Sequence, residues 1–171
     1  MVKQIVSKTT GEVEENPIIK RDRVISSVLE PILEECSPLY HWNTMDADKG
    51  TPIACENLGY EGRAAAIGKG TGLEFRFGSC PTDSIEIEVR LLPNHPVTDD
   101  GRLRFSVALD NCAPQVVSYH TKEWKENVLG NQAIKKIVLP ISSKKKHKIN
   151  IQALDEGVIL DQILLYSISN L

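Results

Sequence analysis

The stretch ALDEGVILDQILLY, residues 153–166, indicates the fold. It opens on a turn signal, Asp155-Glu156-Gly157, and continues as an apolar segment of strand length. Val, Ile and Leu dominate that segment, as is typical of a buried strand. One residue does not fit this pattern, because Asp161 places a carboxylate inside the apolar run.

Two neighbouring stretches alternate polar and apolar residues with the period expected of half-buried strands. In SIEIEVRLL, residues 84–92, the aliphatic side chains share one face. We expect the charged residues of that stretch, Glu86, Glu88 and Arg90, to face water. The same alternation recurs in RLRFSVALD, residues 102–110. Antiparallel strands of this kind pack as two sheets.

Short strands separated by turn signals continue from Trp42 to Tyr166, a pattern typical of sandwiches and barrels. We therefore predict a mainly β chain, with an antiparallel, jelly-roll-like β-sandwich over residues 41–171. The segment TKEWKENVL is the exception and is predicted to form about one helical turn, N-capped by Thr121. Strands are expected near residues 53–58, 64–67, 73–77, 84–92, 103–109, 115–119, 134–140, 148–154 and 158–166.

Residues 1–40 differ from the rest and are predicted to form an N-terminal extension or linker. Apolar residues recur at helical spacing between Val24 and Leu33, which predicts a short helical lead-in near residues 22–35. Pro31 would end or kink that helix. We expect the apolar stripe to pack on a partner surface.

The composition excludes several classes of function. The 171 residues suffice for one domain, and the formal net charge of −3, with both signs interspersed, argues against nucleic acid as a partner. The basic run at residues 144–148 is interpreted as a solvated turn between strands, with a polyanion site as the alternative. No apolar run approaches the ~20 residues of a membrane span, and no signal peptide is visible. We expect a soluble chain without membrane contact.

The four cysteines form no CxxC pair, so no zinc site is predicted, and buried free thiols are expected. No HExxH or GxSxG arrangement is present either. The carboxylates of Asp99, Asp100 and Asp110 could form an acid–base pair, but Asp-Gly turns of this kind are far more often hairpin formers. We predict a non-catalytic chain that needs no cofactor.

Binding modules on sandwich folds use exposed aromatic rings as stacking platforms beside polar side chains that bond to hydroxyl groups. Trp124 is the most suggestive aromatic residue, although it could instead cover the core from the helical turn. The loop PNHPVTDDG, residues 93–101, carries two prolines and is either a functional loop or an ordinary long turn. Around a ligand stacked on Trp124, the candidate hydrogen-bonding residues are Asn94, His95, Asp99, Asp110, Asn111 and Asn127.

Asp161 is interpreted as a structural carboxylate. A strand period of two places it on the face of Ile163 and Leu165, opposite Leu160. A carboxylate on a core face must be paired, hydrogen-bonded or bound to a cation. It could accept N–H groups of a neighbouring loop, pair with an arginine such as Arg63 or Arg104, or ligate a structural calcium ion. The first alternative is favoured, because no second acidic ligand is spaced near it.

Several segments together carry a resemblance to a known family. The stretches LLPNHPVTDDGRLRFSVALDNCAPQVV, WKENVLGN and HKINIQALDEGVILDQILLY resemble the C-terminal β-sandwich of glycoside hydrolase family 115, whose members are xylan α-glucuronidases. The resemblance runs from about Trp42 to Tyr166. It includes the Leu-Pro-x-x-Pro loop from Leu92, the Trp-x-x-Asn-Val-Leu segment from Trp124 and the closing Asp-x-Gly-Val-x-Leu-Asp segment.

This resemblance implies an ancillary, carbohydrate-binding-module-like domain of a polysaccharide-degrading enzyme. A polysaccharide or oligosaccharide would be its ligand, and a catalytic glycoside hydrolase domain or a second copy of the chain its partner. A secreted or periplasmic location would follow. No catalytic residue is carried over, because the family's catalytic domain is not recognisable here. The chain also departs from the family at Lys146, since a glycine is frequent at this position before the histidine. The alternative is a docking or dimerisation domain without a ligand of its own.

Overall fold

The computed structural model describes residues 37–143 and 145–168. The chain divides after Ser37 into two units, and every described element belongs to the second. The helix predicted near residues 22–35 lies outside the described residues.

Within the described residues, ten strands form two antiparallel sheets, which confirms the predicted β-sandwich. One short α-helix, α1 (Trp124–Leu129), follows a 3₁₀ turn at Thr121–Glu123, and a second 3₁₀ turn lies at Thr44–Asp46. The strands are β1 Tyr40–Asn43, β2 Ile53–Glu56, β3 Arg63–Ile67, β4 Gly72–Phe77, β5 Ser84–Leu91, β6 Arg102–Leu109, β7 Gln115–His120, β8 Ala133–Pro140, β9 His147–Ala153 and β10 Val158–Ile168.

Strand β10 is the centre of the larger sheet. That sheet has the order β2-β3-β10-β5-β8, and β1 also pairs with β10. Strands β3 and β1 follow each other along one edge of β10, because β3 pairs with Val158–Leu160 and β1 with Gln162–Leu165. The smaller sheet has the order β4-β9-β6-β7. The strand predicted from the opening stretch is therefore hydrogen-bonded on both edges.

The two sheets enclose one apolar core. Phe75 and Phe105 are fully buried in it, facing the aliphatic residues of β5 and β10. The alternation in residues 84–92 and 102–110 correctly predicts which side chains enter this core. The inward residues of these two strands are Ile85, Ile87, Val89, Leu91, Leu103, Phe105, Val107 and Leu109.

The prediction for one charged residue of β5, Glu88, was wrong. Glu88 was expected to face water, but it is only 5% exposed. Its carboxylate lies 2.6 Å from Arg90 Nε and 3.2 Å from Lys136 Nζ on the outer face of the larger sheet. Burying a carboxylate is costly unless it is paired, and these two cations provide the pairs. The alternation correctly predicts that Glu88 lies on the outer face of the sheet. It does not predict that the long side chains beside Glu88 bury it there.

Strand β1 was not predicted, because its four residues are too few to show a period. Its aromatic residues explain why it forms. Tyr40 and Trp42 point to the same side, with ring centroids 5.5 Å apart, and both contact Phe77. This aromatic cluster seals the core where the described domain begins.

The N-cap of the helical segment also differs from the prediction. His120, not Thr121, caps the 3₁₀ turn, since its Nδ1 accepts a hydrogen bond from Lys122 N–H at 3.0 Å. Glu123 completes a capping box by accepting the His120 N–H at 3.1 Å. The cap lies one residue earlier because β7 continues through His120.

A β-bulge at Asp161 breaks the period of β10. Leu160 lies opposite Leu91 and Gln162 lies opposite Arg90, so Asp161 is the extra residue. Leu160 and Ile163 consequently both face the core, although they are three positions apart. The prediction that Leu160 lies on the opposite face was wrong for this reason.

The carboxylate of Asp161 is 1% exposed and accepts the backbone N–H of Tyr60, at 3.1 Å from each oxygen. This contact attaches the β2–β3 loop to the central strand. No arginine among the described residues forms an ion pair with it. The loop can come this close to the Asp161 carboxylate because residue 59 is glycine. A Cβ at this position would overlap the carboxylate. The glycine also has φ +83°, a conformation that other residues rarely adopt.

We expect Gly59→Ala to destabilise the domain more than Gly62→Ala, its matched control. Both glycines lie in the same loop with positive φ, which costs any other residue about 1–2 kcal/mol. A Cβ on Gly62 meets no heavy atom within 4 Å. Alanine at position 59 should therefore cost about 1–3 kcal/mol more, from the overlap with Asp161, in urea unfolding. Equal losses for the two variants would contradict the role of Asp161.

We expect the pH dependence of stability to separate the wild type from Asp161→Asn. Burial raises the pKa of Asp161 above its ordinary value of 3.8, and the Tyr60 N–H opposes this only in part. The native state therefore binds the proton more tightly than the unfolded state, and this residue's contribution to stability falls as pH rises past 3.8. In urea unfolding, the free energy of unfolding of Asp161→Asn should rise relative to that of the wild type as pH increases from about 3 to 7. A constant difference, or a gain by the wild type, would contradict this assignment.

Candidate functional site

The loops of the sandwich gather at two opposite ends. The tryptophan end comprises residues 68–71, 92–101, 121–132 and 154–157, and the basic end comprises residues 78–83, 110–114, 141–143 and 145–146. Strand β6 runs from one end to the other, and its eight residues span roughly 27 Å.

The structure divides the predicted site residues between these two ends. Asp110 and Asn111 follow β6 at the basic end. One sugar subsite cannot include residues from both ends, because the length of β6 separates the ends. The residues at the tryptophan end are Asn94, His95, Asp99, Trp124 and Asn127.

Trp124 and His95 form the exposed aromatic feature of the tryptophan end. Trp124 begins α1 and is 40% exposed, and the centroid of its indole lies 5.5 Å from that of the His95 imidazole, with the rings inclined at 50°. His95 is also exposed. The two rings come from separate loops, so the fold creates a surface that neither segment has alone.

Asn94 is used to hold the 92–101 loop in place. Its Nδ2 donates to the Gly157 carbonyl at 2.5 Å, and its Oδ1 accepts a hydrogen bond from the Tyr119 hydroxyl. Burial raises the pKa of Tyr119 to about 12. Because both ends of its amide bond to the protein, Asn94 fixes the backbone beside its neighbour His95.

Further contacts make the rest of this loop rigid. Thr98 Oγ1 accepts the Arg102 N–H at 2.9 Å, and Asp100 pairs with the Arg104 guanidinium. Arg104 also contacts the buried Asp155 carboxylate, at 3.1 Å. Asp99 remains exposed at the tip of the turn.

Asn127 lies one helical turn after the start of α1, half-buried. Its Nδ2 atom is buried and has no hydrogen-bond partner among the described residues. An unsatisfied buried amide costs free energy, but a buried nitrogen does not offer its N–H to a ligand at the surface. Of the predicted polar residues at this end, Asp99 is exposed, whereas Asn127 is half-buried with its Nδ2 inside the protein.

At the basic end, the carboxylate of Asp110 is directed into the protein. Its Oδ2 lies 3.0 Å from Nδ1 of the buried His147, and its Oδ1 accepts the Lys148 N–H at 3.1 Å. An open pocket of about 380 Å³ lies beside it. The residues that line this pocket are Arg76, Asp110, Asn111, Lys146, His147 and Lys148.

Sequence reasoning did not identify Arg76 and Lys148 as site residues. The available signal was the basic run at residues 144–148, which was interpreted as a solvated turn. Arg76 lies far from that run in sequence, and only the pairing of β4 with β9 brings them together.

The described residues contain no group of three or more His, Cys, Asp or Glu side chains placed to hold a metal ion. Cys55, Cys80 and Cys112 are free thiols, but none is fully buried, contrary to expectation. Cys112 follows β6 in an exposed loop, and Cys55 lies in β2 at the edge of a sheet. Among the described helices, none is long and apolar enough to cross a membrane.

The family model of the glycosyl hydrolase family 115 C-terminal domain matches residues 49–168. A solved family 115 4-O-methyl-α-glucuronidase, BtGH115A, with specificity for decorated arabinogalactans, is 55% identical with a TM-score of 0.74. The alignment covers 78% of this chain but 18% of that enzyme, so the chain spans less than a fifth of the relative. Among proteins with curated functions, none matches this chain.

Two carbohydrate-binding modules share the fold at low identity. A family 35 module from Clostridium thermocellum is 13% identical with a TM-score of 0.59, covering 75% of this chain and 99% of that module. A module from Cellvibrio mixtus lichenase 5A, in complex with cellotriose, is 12% identical with a TM-score of 0.55, covering 77% of this chain and 99% of that module.

The resemblance noted in the sequence is confirmed, and the matched residues correspond to a domain outside the family's catalytic domain. The described sandwich is accordingly a non-catalytic accessory module of carbohydrate-active type. The chain belongs to the glycosyl hydrolase family 115 C-terminal domain family.

Proposed function

We propose that this module binds glycan at its tryptophan end on behalf of a family 115 glycoside hydrolase. The observation that carries the proposal is the exposed pair of Trp124, at the start of α1, and His95, in the 92–101 loop, with ring centroids 5.5 Å apart. Large exposed aromatic rings on rigid loops are a feature of ligand sites, since ordering the site costs little entropy.

The chemistry of each residue supports a role in sugar binding. The indole of Trp124 offers an apolar face on which the C–H groups of a pyranose can stack. His95, inclined at 50° to it, bounds one side of the stacked ring. The Asp99 carboxylate, exposed at the tip of its turn, would accept a hydroxyl proton, and the half-buried Asn127 would border the stacked sugar on the helix side. Asn94 and Tyr119 would keep His95 in position.

Oligosaccharides from decorated arabinogalactan are the first ligands that we propose, because the 55%-identical relative is specific for such polymers. Glucuronoxylan oligosaccharides are the second, from the resemblance to xylan α-glucuronidases. The catalytic domain of a family 115 enzyme would be the partner. A module acting on these polymers would work in a secreted or periplasmic setting, without a cofactor.

A docking role is the second candidate, and strand β8 favours it. Ile134 and Val138 are 44% and 54% exposed on the outer side of this edge strand. Together with the paired Glu88 and Lys136 they form a mixed apolar and charged surface of the kind that interfaces use. This surface would pack against a catalytic domain or a second copy of the chain.

We expect arabinogalactan oligosaccharides to quench the tryptophan fluorescence of the protein saturably. Trp124→Ala should abolish the quenching and weaken binding about tenfold or more in calorimetry, because it removes the stacking surface. Trp42→Phe is the matched control. Trp42 contacts Phe75 and Phe77 beside the core, so its replacement should leave the affinity unchanged.

His95→Ala should weaken binding less than Trp124→Ala. Unchanged affinity in Trp124→Ala would contradict the proposed site, and absence of binding to either glycan would contradict glycan binding altogether. In that second case the docking role predicts association in sedimentation that Val138→Lys abolishes.

A further inference from the structure

Two cations lie directly opposite each other at the basic end. Arg76 in β4 and Lys148 in β9 are cross-strand partners, and both point to the outer face of the smaller sheet. Their side chains are 54% and 40% exposed. Like charges in directly opposed positions are destabilising unless an anion lies between or beside them.

Among the described residues, three cations on this face share the carboxylate of Glu74, and the nearby Asp48 carboxylate is used to accept the Arg76 backbone N–H at 2.6 Å. Glu74 lies 2.8 Å from Arg76 and 4.0 Å from Lys148, and its other cationic neighbour is Lys49, at 3.5 Å. The hydrogen bond from Arg76 is the main cause of a lowered pKa at Glu74. Glu74 therefore remains ionised but cannot neutralise all three side chains.

Asp110 brings one negative charge to the pocket, but its carboxylate is directed at groups of the protein. Both of its oxygens are engaged, with His147 Nδ1 and with the Lys148 N–H. The residue has φ +54° at the end of β6, a conformation that directs its side chain toward these partners. Three cationic side chains, those of Arg76, Lys146 and Lys148, and one carboxylate line the pocket, so its lining carries an excess of positive charge.

We propose that this pocket is a second binding site, which takes the carboxylate of an acidic sugar unit. The Arg76 guanidinium would bind the carboxylate through two N–H donors, and Lys148 and Lys146 would supply further positive charge. The Asn111 amide can donate to or accept from a ring hydroxyl.

The size and lining of the pocket favour a charged sugar over other ligands. Its volume of about 380 Å³ is in the range of small-molecule sites. No tryptophan, tyrosine or phenylalanine lines it, so a neutral pyranose finds no stacking surface there. The site is independent of the proposed Trp124 site, from which the length of β6 separates it.

Nuclear magnetic resonance of the ¹⁵N-labelled protein tests this site. Sodium D-glucuronate is the probe and D-glucose is its neutral counterpart, at an ionic strength matched with sodium chloride. We expect saturable shifts of the Arg76, Asn111 and Lys148 amide signals with glucuronate and none with glucose. Raising the salt concentration should weaken the binding, because exposed charges are screened.

Arg76→Gln/Lys148→Gln should weaken glucuronate binding about tenfold or more, because it removes the charged donors. Lys69→Gln/Arg102→Gln is the matched control, since it removes the same charge at the tryptophan end and should retain the affinity. Lys146→Gln is a milder variant at an exposed side chain, and about a threefold loss is expected if the double variant does not fold.

Three results would overturn the proposal: equal responses to glucuronate and glucose, an equal loss in the matched control, or equally tight binding of inorganic sulfate. Trp124→Ala should leave the glucuronate response unchanged. Failure of one site is therefore distinguishable from failure of the other.

Discussion

The structure depends on the hydrogen bonding of β10 along both of its edges. An interior strand of a sandwich must satisfy its backbone groups through neighbouring strands, and β10 does so with β5 on one side and with β3 and β1 in succession on the other. The bulge at Asp161 falls between the β3 and β1 contacts. It aims a carboxylate at the Tyr60 N–H, and the loop that connects β2 to β3 is fixed at the same point. One extra residue in β10 thus organises three other segments.

Much of the sandwich could be predicted because its strands bury one face and expose the other. Residues such as Ile85, Ile87 and Val89 alternate with polar residues, and this local pattern is enough to predict that they are buried. The features that escaped prediction depend on partners distant in sequence. Strand β1 requires Phe77 to pack against its aromatic rings, the bulge requires the register of β5, and Glu88 requires Lys136 to cover it.

In the candidate site too, the residue types could be predicted from the sequence, but the positions of these residues relative to one another could not. Trp124 could be singled out from its chemistry, but its neighbour His95 could be paired with it only once two loops were placed at one end. Asp110 and Asn111 were sensible polar candidates, yet the direction of β6 carries them to the other end. Sequence order does not reveal that separation, because each strand reverses the direction of the chain. For Asn94, only the structure shows that its amide is occupied by Tyr119 and Gly157.

The place of β10 in the larger sheet has a consequence for the order in which the domain can fold. It is the last described strand along the chain, yet the others of its sheet assemble around it, and Thr44 bonds to Leu160 across 116 positions. Contacts of such high sequence separation slow folding. During synthesis the earlier strands of this sheet must wait, with their apolar faces exposed, until β10 leaves the ribosome. We therefore expect the larger sheet to complete its pairing only once β10 is available, and its exposed apolar faces to be most prone to aggregation before then.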